Sequence, residues 1–98
     1  MDDSKLTLLT CLVKDKFQYC FELVEQDKIQ LYAQQLMDIG RKRISSCRAV
    51  FENICKSLAI LYLNCRDKVP EIFNVIDNYR NGNTEMLHFY FKITEFCA

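Results

Sequence analysis

The chain has 98 residues, half of them hydrophobic, and its 13 basic residues are balanced by 13 acidic ones. This length allows one small domain, and so high an apolar fraction excludes an intrinsically disordered chain. Two glycines and one proline leave few turns, and no apolar run approaches the roughly 20 residues that a membrane-spanning helix needs. The N-terminal segment is acidic where a secretory signal would be basic. We therefore expect an all-α, intracellular protein.

The first predicted helix begins near Ser4, a residue type that caps helix N-termini. Its apolar residues then recur at intervals of three or four, which is the spacing of one helical face: Leu6, Leu9, Val13, Phe17, Phe21 and Val24. The charged segment 25–28 ends this pattern, so we predict a break there.

The second predicted helix is long and runs over residues 27–63. Its apolar residues keep a helical period throughout: Leu36, Ile44, Cys47, Phe51, Ile54, Leu58 and Leu61. Gly40 lies on the same stripe and predicts a close approach by another helix, because glycine otherwise costs about 1 kcal/mol in a helix. At 1.5 Å per residue such a helix would be about 50 Å long. No other segment could cover it, so we predict a homodimer.

A short third helix is predicted after Pro70, which suits a first-turn position, and it ends at the turn "RNGN" of residues 80–83. The tail from Thr84 to Ala98 fits either a strand, because apolar and polar residues alternate, or one apolar helical face. We favour the helix, and we expect order in either case because so much aromatic surface would not stay in water.

The six cysteines and the single histidine, His88, form no recognisable catalytic or metal-binding motif. We expect the thiols to be reduced and to serve as small apolar residues in helix interfaces. We also expect that the protein has no metal or other cofactor and is not an enzyme.

Positive charge is concentrated in the middle of the chain. Residues 1–40 carry a net charge of −3 (four basic, seven acidic), residues 41–68 carry +5 (seven basic, two acidic), and residues 69–98 carry −2 (two basic, four acidic). On a continuous helix, Arg41, Ser45 and Arg48 would follow one line beside the apolar stripe, with Lys42 and Lys56 on the same side. Arg43 would lie on the other flank. Such a row suits the phosphates of a nucleic acid. It also suits an acidic protein partner, or merely a solvated helix face.

Three stretches of the chain resemble the RNA-silencing suppressors of insect nodaviruses, over residues 4–82. "SKLTLL" from Ser4 is similar to the start of that family, and "KVPEIFNVIDNYRNG" to its short third helix. The family's basic motif, which lies in its second helix, is matched by the segment 41–48, "RKRISSCR". The aromatic tail departs from the polar, disordered C-terminal part of the family.

The resemblance implies an antiparallel homodimer in which long-helix hairpins form a four-helix bundle. It implies that residues 1–82 are a domain for dimerisation and for binding double-stranded RNA, including short interfering duplexes, with residues 83–98 as an apolar extension. Arg48 would be the central phosphate contact, with Arg41 and Arg43 beside it; Lys42, Ser45 and Lys56 are added from the helical wheel. The expected activity is sequence-independent shielding of RNA from Dicer-type cleavage in the host cytoplasm. The alternative is a helical adaptor whose basic stripe binds an acidic protein.

Overall fold

The computed structural model describes residues 3–44, 46–65 and 70–97, and within these ranges the protein is entirely helical. The α-helices, in chain order, are α1 (Asp3–Tyr19), α2 (Ile29–Arg43), α3 (Arg48–Cys65), α4 (Pro70–Asn78) and α5 (Thr84–Cys97). Short 3₁₀ turns occupy Phe21–Leu23, Gln26–Lys28 and Tyr79–Asn81. The prediction of an all-α protein is confirmed.

Helix α3 is the centre of the molecule, because α1, α2 and α5 all pack against it. Its sequence explains this position: Val50, Ile54, Cys55, Leu58 and Leu61 are all fully buried. Even Ser57 is buried, and its hydroxyl is satisfied by donating to the Asn53 carbonyl at 2.8 Å. A helix that is apolar on several faces is typical of a core position.

The prediction of one long helix over residues 27–63 is wrong, because the helix is interrupted between Arg43 and Arg48. The backbone N–H groups of Ser46 and Cys47 both donate to the Arg43 carbonyl, at 3.3 and 3.4 Å, which tightens and ends α2. The Ser46 hydroxyl also approaches the Lys42 carbonyl at 3.5 Å, a competition with helical bonding that serine often supplies. The longest dimension of the molecule is 33 Å. The expected straight helix of about 50 Å could not fit within it.

The first predicted helix is correct at its start but ends earlier than expected, at Tyr19. The buried face of α1 also differs from the predicted apolar face: Leu9 is exposed, whereas Thr10 is buried. The Thr10 hydroxyl donates to the Leu6 carbonyl at 2.8 Å and accepts from the Asn53 side chain at 3.3 Å. These bonds attach α1 to α3 through polar groups that the apolar pattern does not reveal.

The close approach predicted at Gly40 is confirmed. Gly40 is buried, and a Cβ at this position would lie 2.7 Å from Cζ of Phe89 and 3.1 Å from Cγ2 of Ile54.

The tail is a helix, as favoured, so the strand alternative is wrong. Phe89 of α5 is fully buried, and its ring lies 5.4 Å from those of both Phe51 and Tyr79. The tail therefore belongs to the same core.

Candidate nucleic-acid interface

Four predicted binding residues meet where α2 ends and α3 begins. Arg41, Lys42 and Arg43 occupy the last turn of α2, and Arg48 is the first residue of α3. We call these four residues the basic corner. Ser45, the other predicted residue of this segment, lies outside the described residues. Because the helix is interrupted, the predicted line from Arg41 through Arg48 along one helix axis does not form.

Arg48 is the most exposed member of the basic corner. Its side chain is 87% exposed, so the predicted position beside the apolar stripe is wrong. Its Nε donates to Oε1 of Glu52, one turn further along α3, at 3.1 Å. A helix N-terminus carries partial positive charge and disfavours a cation. The pair with Glu52 and the helix dipole therefore act on α3 in opposite directions, and Arg48 contributes little to the stability of this helix.

The three residues at the end of α2 differ in environment. Arg41 is half-exposed and forms an ion pair with Asp38 of the same helix, and Lys42 is exposed. Arg43 is mostly covered, and its Nε lies 3.6 Å from Oδ1 of Asp3 in α1. All three cations suit the negative end of the helix dipole. Arg41 and Lys42 are open to a ligand, whereas Arg43 mainly connects α2 to the first turn of α1.

Lys56 lies apart from the basic corner, eight residues beyond Arg48 on α3 and so about 12 Å along its axis. Its ammonium lies 5.3 Å from the ring centre of Phe96 in α5, and the ammonium of Lys92 lies 5.4 Å from the same centre. Lys92 also contacts Glu52 at 3.8 Å and Glu95 at 3.4 Å. Lys92 was not predicted from the sequence, because the ambiguous tail gave no means of placing it beside α3.

Glu52 is the carboxylate at the centre of this α3–α5 junction. The pKa of its carboxyl is lowered, chiefly by the hydrogen bond from Arg48, against the opposing effect of desolvation. The neighbouring charges of Arg48, Lys92 and Lys56 lower this pKa further. Glu52 therefore stays ionised at neutral pH, and its negative charge lies between basic residues of two helices.

A second surface of the molecule is apolar and lies on the α1 side. A groove of about 370 Å³ separates α1 from α2 and is lined by Leu9 and Val13 of one helix and Tyr32, Leu36 and Ile39 of the other. Beside it, Leu8, Leu12 and Tyr19 of α1 are exposed. These three side chains fall within about 40° on a helix of 3.6 residues per turn. We call them, with Leu9, the α1 face.

The cysteines are all free thiols, and Cys55 and Cys65 are fully buried in the core. Cys47 and Cys97 pack against that core, so these four have the predicted interface role.

The His88 ring stacks on Phe51 with centroids 5.3 Å apart while the residue remains exposed. Within the described ranges, no group of three or more histidine, cysteine or acidic side chains is placed to hold a metal ion.

Comparison of the chain with models of known protein families, with curated proteins and with solved structures finds no match. In the part of the chain that the structure describes, no helix combines the length and apolarity required to cross a bilayer.

Proposed function

We propose that the protein binds double-stranded RNA through the basic corner and thereby shields the duplex from Dicer-type cleavage in the host cytoplasm, suppressing RNA silencing. Arg41, Lys42 and Arg48 are the principal contacts of this proposal, and Arg43, Ser45 and Lys56 extend it. The resemblance of the segment 41–48 to the basic motif of nodavirus suppressors supports it. The observation that carries it is the 87% exposure of Arg48 at a helix N-terminus, a position that the helix dipole disfavours for a cation.

The ion pairs within the basic corner do not prevent binding. Arg41 pairs with an exposed carboxylate on its own helix, and Arg48, itself 87% exposed, pairs with the less exposed carboxylate of Glu52. Such surface pairs contribute about 0 to 1 kcal/mol. A charge-assisted bond to a phosphate contributes about 1.5 to 3 kcal/mol, so exchange of a carboxylate for a phosphate is favourable.

Double-stranded RNA suits this surface better than other nucleic acids do. The minor groove of an A-form duplex is wide and shallow, and it presents phosphates and ribose hydroxyls without requiring that bases be read. The basic corner offers arginine and lysine and no aromatic side chain on which an unpaired base could stack. We therefore infer recognition of duplex shape without sequence preference.

We also propose that the protein is an antiparallel homodimer, with the α1 face as its interface. Leu8, Leu12 and Tyr19 would be covered by α1 of a second copy beside the α1–α2 groove, giving a bundle of four helices. A two-fold axis near residue 10 would place Leu8 opposite Leu12 of the second copy. The same axis would place Lys5 opposite the second copy's Asp15, so that opposite charges meet at each end of the apolar contact. Covering exposed leucines in this way removes apolar surface from water.

The RNA proposal is tested by replacing Arg48 with alanine. We expect Arg48→Ala to weaken binding to a random-sequence RNA duplex by about a hundredfold, because a dimer loses two phosphate contacts. The dependence of affinity on salt should also become shallower, since fewer counterions are released. Lys28→Ala is the matched control: it removes an exposed cation paired with Glu25 at 2.9 Å, in the 3₁₀ turn before α2. Fluorescence anisotropy over a series of salt concentrations measures both variants.

Duplex binding that Arg48→Ala and Lys28→Ala weaken equally would contradict the proposed surface. Circular dichroism must show that both variants remain helical. A protein that binds no duplex at all would favour the second candidate function, a helical adaptor. The apolar α1–α2 groove supports that candidate, because such grooves accept the apolar face of a partner helix.

A further inference from the structure

We propose that the junction of α3 and α5 is a second phosphate-binding contact, in which Lys92 acts together with Arg48, and that Glu52 partly neutralises this contact in the free protein and so weakens it. The inference rests on the proposed binding of double-stranded RNA and deepens it. The ligand is the phosphate backbone of the duplex, and α5, which lies outside the stretch that resembles known suppressors, becomes part of the binding surface.

A single carboxylate oxygen links the two cations. Oε1 of Glu52 accepts from Nε of Arg48 at 3.1 Å and lies 3.8 Å from Nζ of Lys92. Arg48 belongs to α3 and Lys92 to α5, so Glu52 bridges the basic corner to a helix more than 30 residues further along the chain. A phosphate that replaced this carboxylate would find both cations already close together.

Lys92 is held in position before any ligand arrives. Its side chain is only 20% exposed, and its ammonium lies over the Phe96 ring that also carries the ammonium of Lys56. A packed stem with its charged end at the surface restricts the conformations of a lysine. Less side-chain entropy is then lost when the ammonium binds an anion. Its other partner, Glu95, is an exposed residue one turn away, and such a pair is weak.

Glu52 opposes binding for two reasons. It occupies the Nε donor of Arg48, and its negative charge repels the phosphates that approach the junction. The free protein therefore presents a partly neutralised surface, and removal of this one charge should expose two cations at once. Removal of Glu52 should thus strengthen RNA binding, whereas removal of Lys92 should weaken it.

The experiment compares two carboxylates that each hold an ion pair. Glu52→Gln and Glu25→Gln remove the same net charge, but Glu25 pairs with Lys28 in the 3₁₀ turn before α2, outside the α3–α5 junction. We expect Glu52→Gln to bind a random-sequence RNA duplex about tenfold more tightly than Glu25→Gln does, which is the effect of about 1.4 kcal/mol. The salt dependence should be steeper for Glu52→Gln than for Glu25→Gln, because more counterions are released.

A second pair of variants tests Lys92 itself. Lys92→Gln should weaken binding about tenfold relative to Lys28→Gln, which again corresponds to about 1.4 kcal/mol. The two pairs give independent readings, so the inference stays testable if either junction variant is too unstable to purify.

The outcomes separate the inference from the function on which it rests. If the wild-type protein binds no RNA duplex, both fall together. If the wild type binds, but Glu52→Gln matches Glu25→Gln and Lys92→Gln matches Lys28→Gln, the junction is not a phosphate contact and only this inference is overturned. Tighter binding by Glu52→Gln together with weaker binding by Lys92→Gln would support it.

Discussion

At the scale of single residues, burial controls the acid–base behaviour of the core. Cys55 has no exposed surface, and desolvation raises the pKa of its thiol far above the ordinary value. Burial also raises the pKa of the Cys97 thiol and of the Tyr79 hydroxyl. In the unfolded chain these groups ionise near their ordinary values, about 8.5 for cysteine and about 10 for tyrosine. Folding is therefore linked to proton uptake in alkaline solution.

We predict that these groups cause no change in the free energy of unfolding with pH near neutrality. The free energy of unfolding should fall as the pH rises above about 8.5. A group whose pKa is raised by folding stabilises the protein fully at pH values below its pKa in the unfolded chain. Above that pH the stabilisation is lost, because the unfolded state releases protons that the folded state keeps. The fully buried Cys55 thiol lowers stability by about 1.4 kcal/mol per pH unit within this window, and Cys97 and Tyr79 act in the same direction. Urea unfolding followed by circular dichroism, from pH 7 to about 10 with a reductant, measures the slope.

Cys55→Ala should be less stable throughout but should show a shallower slope above pH 8.5, because it has no thiol to ionise. Ile54→Val, which trims the neighbouring fully buried side chain without removing an ionisable group, should keep the wild-type slope. Equal slopes in the two variants would show that Cys55 is not protected by burial.

At the scale of helices, the contact of α2 with α5 depends on the absence of a side chain at Gly40. Phe89 occupies the space in which a Cβ would stand, and Ile54 of α3 borders it. Phe89 is fully buried between Phe51 and Tyr79, so its ring has no room to move away. The glycine thus lets three helices meet closely.

We predict that Gly40→Ala lowers the free energy of unfolding by about 1 kcal/mol. Overpacking a core costs about 1 to 3 kcal/mol, and this exceeds the gain of about 1 kcal/mol in helix propensity. Denaturant unfolding measures the change, with Gln34→Ala on the exposed side of α2 as the control. In a double-mutant cycle, Gly40→Ala should cost less when Phe89 is replaced by leucine, because the smaller side chain leaves room. A Gly40→Ala variant more stable than the wild type would contradict the close approach.

The apolar pattern of the sequence could locate some of these helices and not the interruption between them. Pro70 marks the start of α4, and the apolar face of the tail favoured α5. The break after Arg43 could not be read from the pattern, because Ile44, Cys47 and Phe51 keep a helical period across it. All three are at least partly buried on either side of the turn. A bent chain and a straight helix therefore produce the same apolar spacing.

The same interruption explains which parts of the candidate site were predictable. Counting charges along the sequence was enough to find the basic stretch of residues 41–68. The exposure of Arg48 was not predictable, because a wheel drawn for one continuous helix placed it beside the core. Lys92 was not predictable for a different reason, because its contact with Glu52 joins residues 40 positions apart. Only the packing of α5 on α3 brings them together.

At the scale of the whole molecule, the α1 face is an apolar surface that the packing of the described residues leaves exposed. Leu8 is 62% exposed and Leu12 is 56% exposed, and Leu9 of the same face lines the α1–α2 groove. A chain of 98 residues buries a smaller fraction of its surface than a larger protein does, so association would add substantially to its stability. The proposed dimer follows from this surface, and not from the long helix that the sequence suggested.

We predict that the wild-type protein sediments at about twice its chain mass of 11.6 kDa at micromolar concentration and that Leu12→Glu sediments as a monomer. A carboxylate on the α1 face would have to be buried without a partner in the dimer, which is unfavourable. Leu63→Glu is the matched control, since Leu63 is also 62% exposed but lies near the end of α3. A monomeric wild type, or dissociation caused by Leu63→Glu alone, would contradict the proposed interface.

The central position of α3 also has a consequence for the order in which the newly made chain can fold. Helix α1 is complete at Tyr19, but the surface on which it packs is complete only at Cys65. At about 5 to 20 residues per second, α1 therefore leaves the ribosome roughly 2 to 9 s before its partner is finished. Phe89 and Ile93, which close the core from α5, are synthesised later still. A chain that stalls before residue 84 can already pack α1 on α3 but lacks Phe89 and Ile93, so synthesis of the last helix is the step that completes the core.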